Sequence, residues 1–447
     1  DRSPRSPPLS APFLSSPPPV SRRPASSRTS VAQASPDAWR ACAGRYPTTG
    51  YPEVRFWCLQ TLADQCDARY AALADADAAS LRAAVASWVH EAATRRDPPV
   101  PPFVKNKLAQ VTAKLARHDY PLRWPTLVHD LVALADAPEA DAPFATDVFC
   151  RVLDALDEEI ISSGDTIREH GEGQRNPARP PPASVRVKDA IRADGDAAAK
   201  LADVWRRRVA RGDRAAAATA RRYVEWMDVG LFVPLSDETA PPPGLGNNDA
   251  SSFVAAAKGL LASDDDDLRG AGAELLAALA QKGMDRASKL ALVVHRLGLV
   301  DACLAMPPTG DEGRDVISAG LVRAVGHELF ACLGPPKGGG SSANNLDDAT
   351  SAAAFAAVER LLPVAVAHAR SRDESCALAA LPVLAAYVRR LEADESARGS
   401  PAAADALACV VDACVRRSAF PDDEGGSPEG GSGALRGIDF RDPGDRR

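Results

Sequence analysis

Apolar residues fall at helical intervals along most of this chain. Between 52 and 66, Val54, Cys58, Leu62 and Cys66 recur every fourth position, and Trp57 and Leu59 widen the stripe. Leu81, Val85, Trp88 and Val89 repeat the device, followed by Val104, Leu108, Val111 and Leu115, and then by Val148, Val152, Leu156 and Ile160. An apolar side chain every three or four residues places all of them on one side of a helix. Stripes this wide predict helices that pack on neighbours at two sides. Period-two runs rich in Val, Ile, Thr and Tyr, which would predict strands, are nearly absent.

The pattern continues with helices predicted near 186–210, 214–229, 250–262, 267–282, 286–304, 313–333, 351–370, 374–393 and 402–418. Ser35-Pro36-Asp37 predicts a helix start, with Ser35 as N-cap and Pro36 in the first turn. Gly283 is suited to a helix end. Tyr120-Pro121 and Trp124-Pro125 form a corner between two helices, because proline is disfavoured inside a helix but accepted in its first turn. Trp124 is expected to pack between repeats. Helix pairs recurring at intervals of about 40 residues predict an all-α fold, an α-solenoid of HEAT-type hairpins.

Organisation follows from composition. Residues 1–33 are rich in Pro, Ser and Arg and are expected to form a flexible tail, although an Arg- and Ser-rich, acid-poor segment also resembles a transit peptide. Residues 34–165 carry the first repeats. Residues 166–420 carry the rest, with loops at 168–185, 236–250 and 334–349. Residues 421–447 are expected to be a second tail. At 447 residues the chain exceeds what one core usually spans. Aromatic residues make up only 5%, and alanine, small and strongly helix-forming, dominates the apolar set. No apolar run reads as long enough to span a bilayer, so a soluble protein is expected. The nine cysteines include no Cys-x-x-Cys pair and are expected to be reduced thiols used as small apolar residues.

Candidate chemistry changes this picture little. His118-Asp119 and His129-Asp130 lie either side of the proline corner and read as solvated helix ends. Asp157, Glu158 and Glu159 are adjacent, so successive carboxylates diverge by about 100° on a helix and read as a solvated face. The Gly run 338–340 lacks the Lys-Ser/Thr of a phosphate loop. No enzyme, metal or cofactor site is predicted.

Charge is more informative. The net charge is −7, but residues 1–33 contribute +4 and the remainder −11. Lys107, Lys114 and Arg117 fall on one flank of their helix, with Lys105 off the row. This row is either a solubilising face or a set of phosphate contacts. Arg206, Arg207, Arg208, Arg211 and Arg214 form a denser cluster, followed by Arg221, Arg222, Tyr223 and Trp226. The acidic run 263–267 is either a solvated turn with helix-start aspartates or a loop for a basic protein partner.

Three segments in order, PEVRFWCLQTLADQC, LRAAVASWVHEA and FVKNKLAQVTAKLARHDYPLRWPTLVHDLV, resemble the N-terminal block of the exportin branch of the importin-β family. SPDAWRACA, VFCRVLDALDEEIIS, VKDAI, YVEWMDVGLFV, ELLAALAQKGMDRASKLALV and LPVLAAYVRRL extend the resemblance to the tRNA exportins. The resemblance covers about 31–165, 185–305 and, more weakly, 313–395. The family has a further helix before the one at Ser35 and runs far beyond residue 420, so the chain resembles an N-terminal portion. The resemblance implies a monomeric, non-enzymatic transport receptor that binds tRNA cooperatively with Ran-GTP, contacts nuclear pore proteins and shuttles between nucleus and cytoplasm. It implies that the second helices 52–66, 103–118 and 145–162 face Ran, with Arg55, Gln60, Asp64 and Lys105 as candidates. The tRNA candidates, chosen on charge, are Lys107, Lys114, Arg117, Arg206, Arg207, Arg208 and Arg211. A karyopherin for protein cargo and a HEAT scaffold outside transport are the alternatives.

Overall fold

The alanine-rich stripes fold into antiparallel helical hairpins. The computed structural model describes residues 35, 37–136, 142–162, 181–233, 252–333, 345–393, 398 and 401–418, in two compact units divided between Lys282 and Gly283. Both expected tails, and most of the three expected loops, lie outside the described residues. Among the described residues there is no strand, and the one extended pairing is a bridge between Arg96 and Pro99.

The first unit contains α1 (Ala38–Thr48), α2 (Pro52–Arg69), α3 (Asp75–Thr94), α4 (Pro102–Asp119), α5 (Leu127–Ala135) and α6 (Ala142–Leu156). It continues with α7 (Ala183–Ala193), α8 (Gly195–Val209), α9 (Arg214–Val224), α10 (Phe253–Leu261) and α11 (Asp266–Ala280). Hairpins pair α1 with α2, α3 with α4, α5 with α6, α8 with α9 and α10 with α11, and their second helices stack in the order α2, α4, α6, α9, α11. This is the HEAT-type solenoid arrangement that the periodicity predicts. The predicted stripes form the core: Cys58, Leu62, Val104, Leu108, Val111, Leu115, Val152 and Leu156 are all buried.

Helix starts are set by local chemistry. Asp194, Asp213, Ser252 and Asp265 each accept a hydrogen bond from a backbone N–H three residues on, as N-caps. The first start lies later than Ser35 suggests. Ser35 closes a turn through its carbonyl to the Ala38 N–H, and α1 begins at Ala38 without a side-chain cap. At Gly272 a Cβ would sit 2.5 Å from the Leu261 backbone nitrogen, so glycine lets α10 and α11 approach this closely.

The aromatic-proline corner is pinned from below. Tyr120 and Trp124 are buried, and the backbone N–H groups of Arg123 and Trp124 donate to the Asp119 carbonyl at 2.7 and 3.1 Å. The Asp119 carboxylate is fully buried and receives Tyr70, Arg82 and Arg123. Lys282 closes the unit. Its ammonium donates to the carbonyls of Val224, Glu225 and Met227 at 2.9, 3.1 and 2.6 Å, capping the negative end of α9.

The second unit contains α12 (Arg286–Leu290), α13 (Leu299–Leu304), α14 (Glu312–Cys332), α15 (Asn345–Ala369), α16 (Glu374–Ala393) and α17 (Pro401–Ser418). Lys289 and Glu328 form a buried ion pair at 2.6 Å. One expectation is corrected here. Within α15, Ala349–Ala369 is long and apolar enough to cross a membrane. In this unit the helix packs on α14 and α16 and buries Ala354, Val358, Leu361 and Ala365. Seven cysteines are buried free thiols; Cys409 and Cys414 are exposed on α17.

Candidate functional site

Each second helix of the first unit turns its apolar stripe inward and leaves a polar row outward. On α4 the row is Phe103, Asn106, Lys107, Gln110 and Lys114, interleaved with buried Val104, Leu108, Val111 and Leu115. The row on α6 is Asp147, Arg151 and Asp154, extended by Glu158 and Glu159 on a π-helical turn, Asp157–Ile161. Because α2, α4, α6 and α9 are neighbours, these rows meet.

Their charges are largely spent on one another. Lys114 lies 2.7 Å from Asp67 on α2 and 3.3 Å from Glu159. Lys107 donates to Gln110 at 2.6 Å, and Gln110 donates in turn to Glu159. Arg151 pairs with Asp147 at 2.7 Å and donates to Asn106. From α9, Arg222 approaches Glu158 at 3.1 Å, Asp157 at 3.6 Å and Asp154 at 3.7 Å, while the Thr219 hydroxyl donates to Asp154 at 3.1 Å.

Between α2, α4 and α6 the rows enclose an open cavity of about 540 Å³. Phe56 and Phe103 form its aromatic wall, with ring centroids 5.8 Å apart, and Phe103 is 45% exposed. Asp154, Glu158 and Glu159 form the acidic wall, and Lys107 and Arg151 also line it. Burial pushes the Asp154 carboxyl up despite the opposing charge of Arg222, and burial lowers Lys107. For Lys114, burial works to lower the ammonium, but the Asp67 hydrogen bond and the Glu159 charge raise it on balance. The arrangement combines alternating charge, one exposed ring and a concave centre, features of recognition surfaces.

The tRNA candidates do not share one surface. Lys107 and Lys114 lie in the ladder just described. Arg117 is exposed at the end of α4, where its carbonyl accepts from Arg186. Arg206 and Arg207 project from α8, a first helix packed on α5 and α10, and pair with Asp203; Arg207 also reaches Asp136 at 2.5 Å. Arg208, chosen on charge as a tRNA candidate, is buried and donates to the Ala135 carbonyl at 2.7 Å, so it does not join Arg206 and Arg207. Arg211 is exposed in the turn after α8.

The Ran candidates divide similarly. Gln60 donates to Asp64 at 2.9 Å on the outward row of α2. Arg55 is buried, donating to the Thr49 carbonyl and Glu91 at 3.2 Å each, and Lys105 is buried against Asp147 at 2.9 Å. The histidines are not simple solvated ends. His118 lies against Tyr70 with the two rings tilted at 40° and its pKa lowered by burial, and His129 lies 2.9 Å from Asp194, the N-cap of α8. In the acidic run, Asp265 caps α11, Asp266 pairs with Arg269 and Asp267 pairs with Arg214.

No local sequence pattern marks Phe56, Phe103, Arg151, Asp154 and Glu158 as parts of one site. The available signal was the outward row of each helix at i, i+3 and i+4, offset from its apolar stripe. It becomes a site only when three helices are stacked.

Residues 101–237, which include α4, α6 and α9, match the family model for Exportin 1-like protein. Exportin-T of Oryza sativa subsp. japonica is 31% identical over 357 residues, covering 77% of this chain and 31% of that protein. Exportin-T of Arabidopsis thaliana is 32% identical over 306 residues, covering 63% of this chain and 26% of its own length. Exportin-T of Homo sapiens is 31% identical over 144 residues, or 32% of this chain and 14% of that protein. The chain thus spans less than a third of the length of these relatives.

Proposed function

The chain belongs to the exportin family, and from that premise we propose that it is part of a nuclear export receptor carrying tRNA together with Ran-GTP. The observation that carries this reading is its 31% identity to a protein named Exportin-T across 77% of the present chain.

The stacked second helices of the first hairpins form the protein-facing surface in this account. Gln60 and Asp64 lie on it, and Arg55 and Lys105 hold its helices in place from inside. Exposed Arg117 and Arg211 and half-buried Arg206 and Arg207 are the phosphate-contacting set in this reading, because Lys and Arg supply most backbone contacts to nucleic acid. A-form RNA offers phosphates and 2′-hydroxyls rather than readable major-groove edges, so shape and charge carry its recognition. The protein's part in export is binding and release, with no bond made or broken by its own side chains.

The stacked architecture supports cooperative binding in this reading. Stacked repeats contact mainly their neighbours, so curvature is soft and closing around a ligand costs free energy. Once one ligand has closed the stack, the second binds more tightly. The coupling is reciprocal, so Ran-GTP and tRNA strengthen each other by the same factor. Release after GTP hydrolysis is the same coupling run backwards, and it gives the receptor its direction from nucleus to cytoplasm through contacts with pore proteins.

Fluorescence anisotropy of labelled mature tRNA, titrated with the whole gene product in the presence of Ran-GTP or Ran-GDP, tests this. The expected result is tighter binding only with Ran-GTP. Ran-GTP binding without any affinity for tRNA would instead identify a receptor for protein cargo.

A further inference from the structure

We infer that the cavity between α2, α4 and α6 is a pocket for an arginine side chain on a basic segment of a protein partner. The chemistry of the pocket carries this inference, and it does not depend on tRNA being the cargo.

Three observations converge on the cavity. First, its aromatic wall presents an exposed ring face. Phe103 is 45% exposed and meets Phe56 at a centroid distance of 5.8 Å. The Lys107 ammonium already sits 5.7 Å over the Phe56 ring, so this wall attracts cations within the protein itself. Second, the opposite wall holds three carboxylates, Asp154, Glu158 and Glu159, against two cations, Lys107 and Arg151. Lys107 is engaged by Gln110 and Arg151 by Asp147 and Asn106, while Glu159 is engaged by Lys114 and Gln110 and Asp154 by Arg222 and Thr219, so Glu158 is the most open of the carboxylates. The carboxylate of Glu158 is 66% exposed and meets Arg222 at 3.1 Å, on the side of α9. That contact shows the acidic wall receiving a guanidinium. Third, a volume of about 540 Å³ exceeds one side chain and suits an arginine together with neighbouring residues of its segment.

Arginine fits better than the alternatives. Its planar guanidinium lies flat on an aromatic face while donating to carboxylates at its edge, which a lysine ammonium cannot do with the same geometry. A nucleotide would bring its phosphate against a lining of three carboxylates and two cations.

The test uses the full chain and saturation-transfer NMR with three probes at equal concentration: N-acetyl-arginine methylamide, its citrulline isostere and adenosine monophosphate. Citrulline keeps the shape of arginine and removes the charge. The expected result is several-fold stronger saturation of the arginine probe than of either other. That signal should be lost in Phe103→Ala and in Glu158→Gln, both exposed positions where unfolding is not expected, with circular dichroism as the check. Equal saturation of arginine and citrulline would overturn the inference. So would an arginine signal unchanged in both variants, or preferential saturation of adenosine monophosphate, which would make this an RNA-facing pocket.

Discussion

The hydroxyl of Tyr70, just after α2, donates to the carboxylate of Asp119 at the end of α4, although 49 residues separate them. Arg82 from α3 reaches the same carboxylate, and Arg123 from the following turn lies 2.7 Å from its other oxygen. One buried anion therefore holds two hairpins and the proline corner together. Removing one partner of a buried pair leaves the other charge uncompensated, so Asp119→Ala is expected to cost about 3 kcal/mol or more. Tyr70→Phe removes one hydrogen bond to that anion, at a cost of about 2 kcal/mol. Urea unfolding followed by circular dichroism measures both. Equal effects from the two variants would mean that Asp119 does not organise the corner.

Lys282 offers a second structural test. Three carbonyls at the end of α9 share its ammonium. Lys282→Met keeps the stem and removes the donors, and is expected to cost about 1 kcal/mol as two partly buried acceptors, one exposed acceptor and a helix end lose their cation. A thermal-unfolding midpoint unchanged from the parent chain would contradict this.

The second unit carries a pH-sensitive group. His368 on α15 is fully buried, with its Nε2 3.0 Å from the Ser318 hydroxyl. Burial lowers its pKa, against the nearby negative charge of Asp315. The folded state therefore favours the neutral ring, while the unfolded chain takes up a proton below pH 6.5 or so. Stability is complete above that value and falls as pH drops, by up to about 1.4 kcal/mol per pH unit, until the folded pKa is reached. His368→Gln should flatten the decline between pH 7.5 and 5.5 in thermal unfolding. A slope identical to that of the parent would remove His368 from this role.

Nucleic-acid binding gives a fourth prediction. Replacing Arg117, Arg206 and Arg207 together by Ala should weaken tRNA binding and reduce the dependence of log affinity on log salt by roughly 2 units, since three phosphate contacts each contribute about 0.7–0.9 to the slope. A weakened affinity with an unchanged slope would show that these residues act through folding or shape rather than through phosphates.

Much of the fold is legible in the sequence because a helix writes its packing into its own periodicity. Val104, Leu108, Val111 and Leu115 announce both a helix and its buried side, and Trp124 announces a buried corner. The position of Arg208 was also readable. It falls three residues after Trp205 and beside Val209, on the stripe that starts at Leu201, whereas Arg206 and Arg207 point away. The cavity was not readable, because Phe56, Phe103 and Glu158 belong to three helices and no local pattern states which hairpin stacks on which. The same limit hid the use of the acidic run, where Asp267 finds Arg214 across 53 residues. The apolar length of α15 is masked in the sequence because Glu359 and Arg360 interrupt an alanine-rich run of modest individual hydropathy.

Mutual strengthening of tRNA and Ran-GTP is open to measurement from the Ran side. The affinity of labelled Ran-GTP for the whole gene product would be measured with and without saturating tRNA, at one stated salt concentration, and compared with the gain in tRNA affinity that Ran-GTP produces. The same factor is expected in both directions, on the order of 5- to 150-fold for couplings of this type. Ran-GTP affinity that is indifferent to tRNA would contradict it.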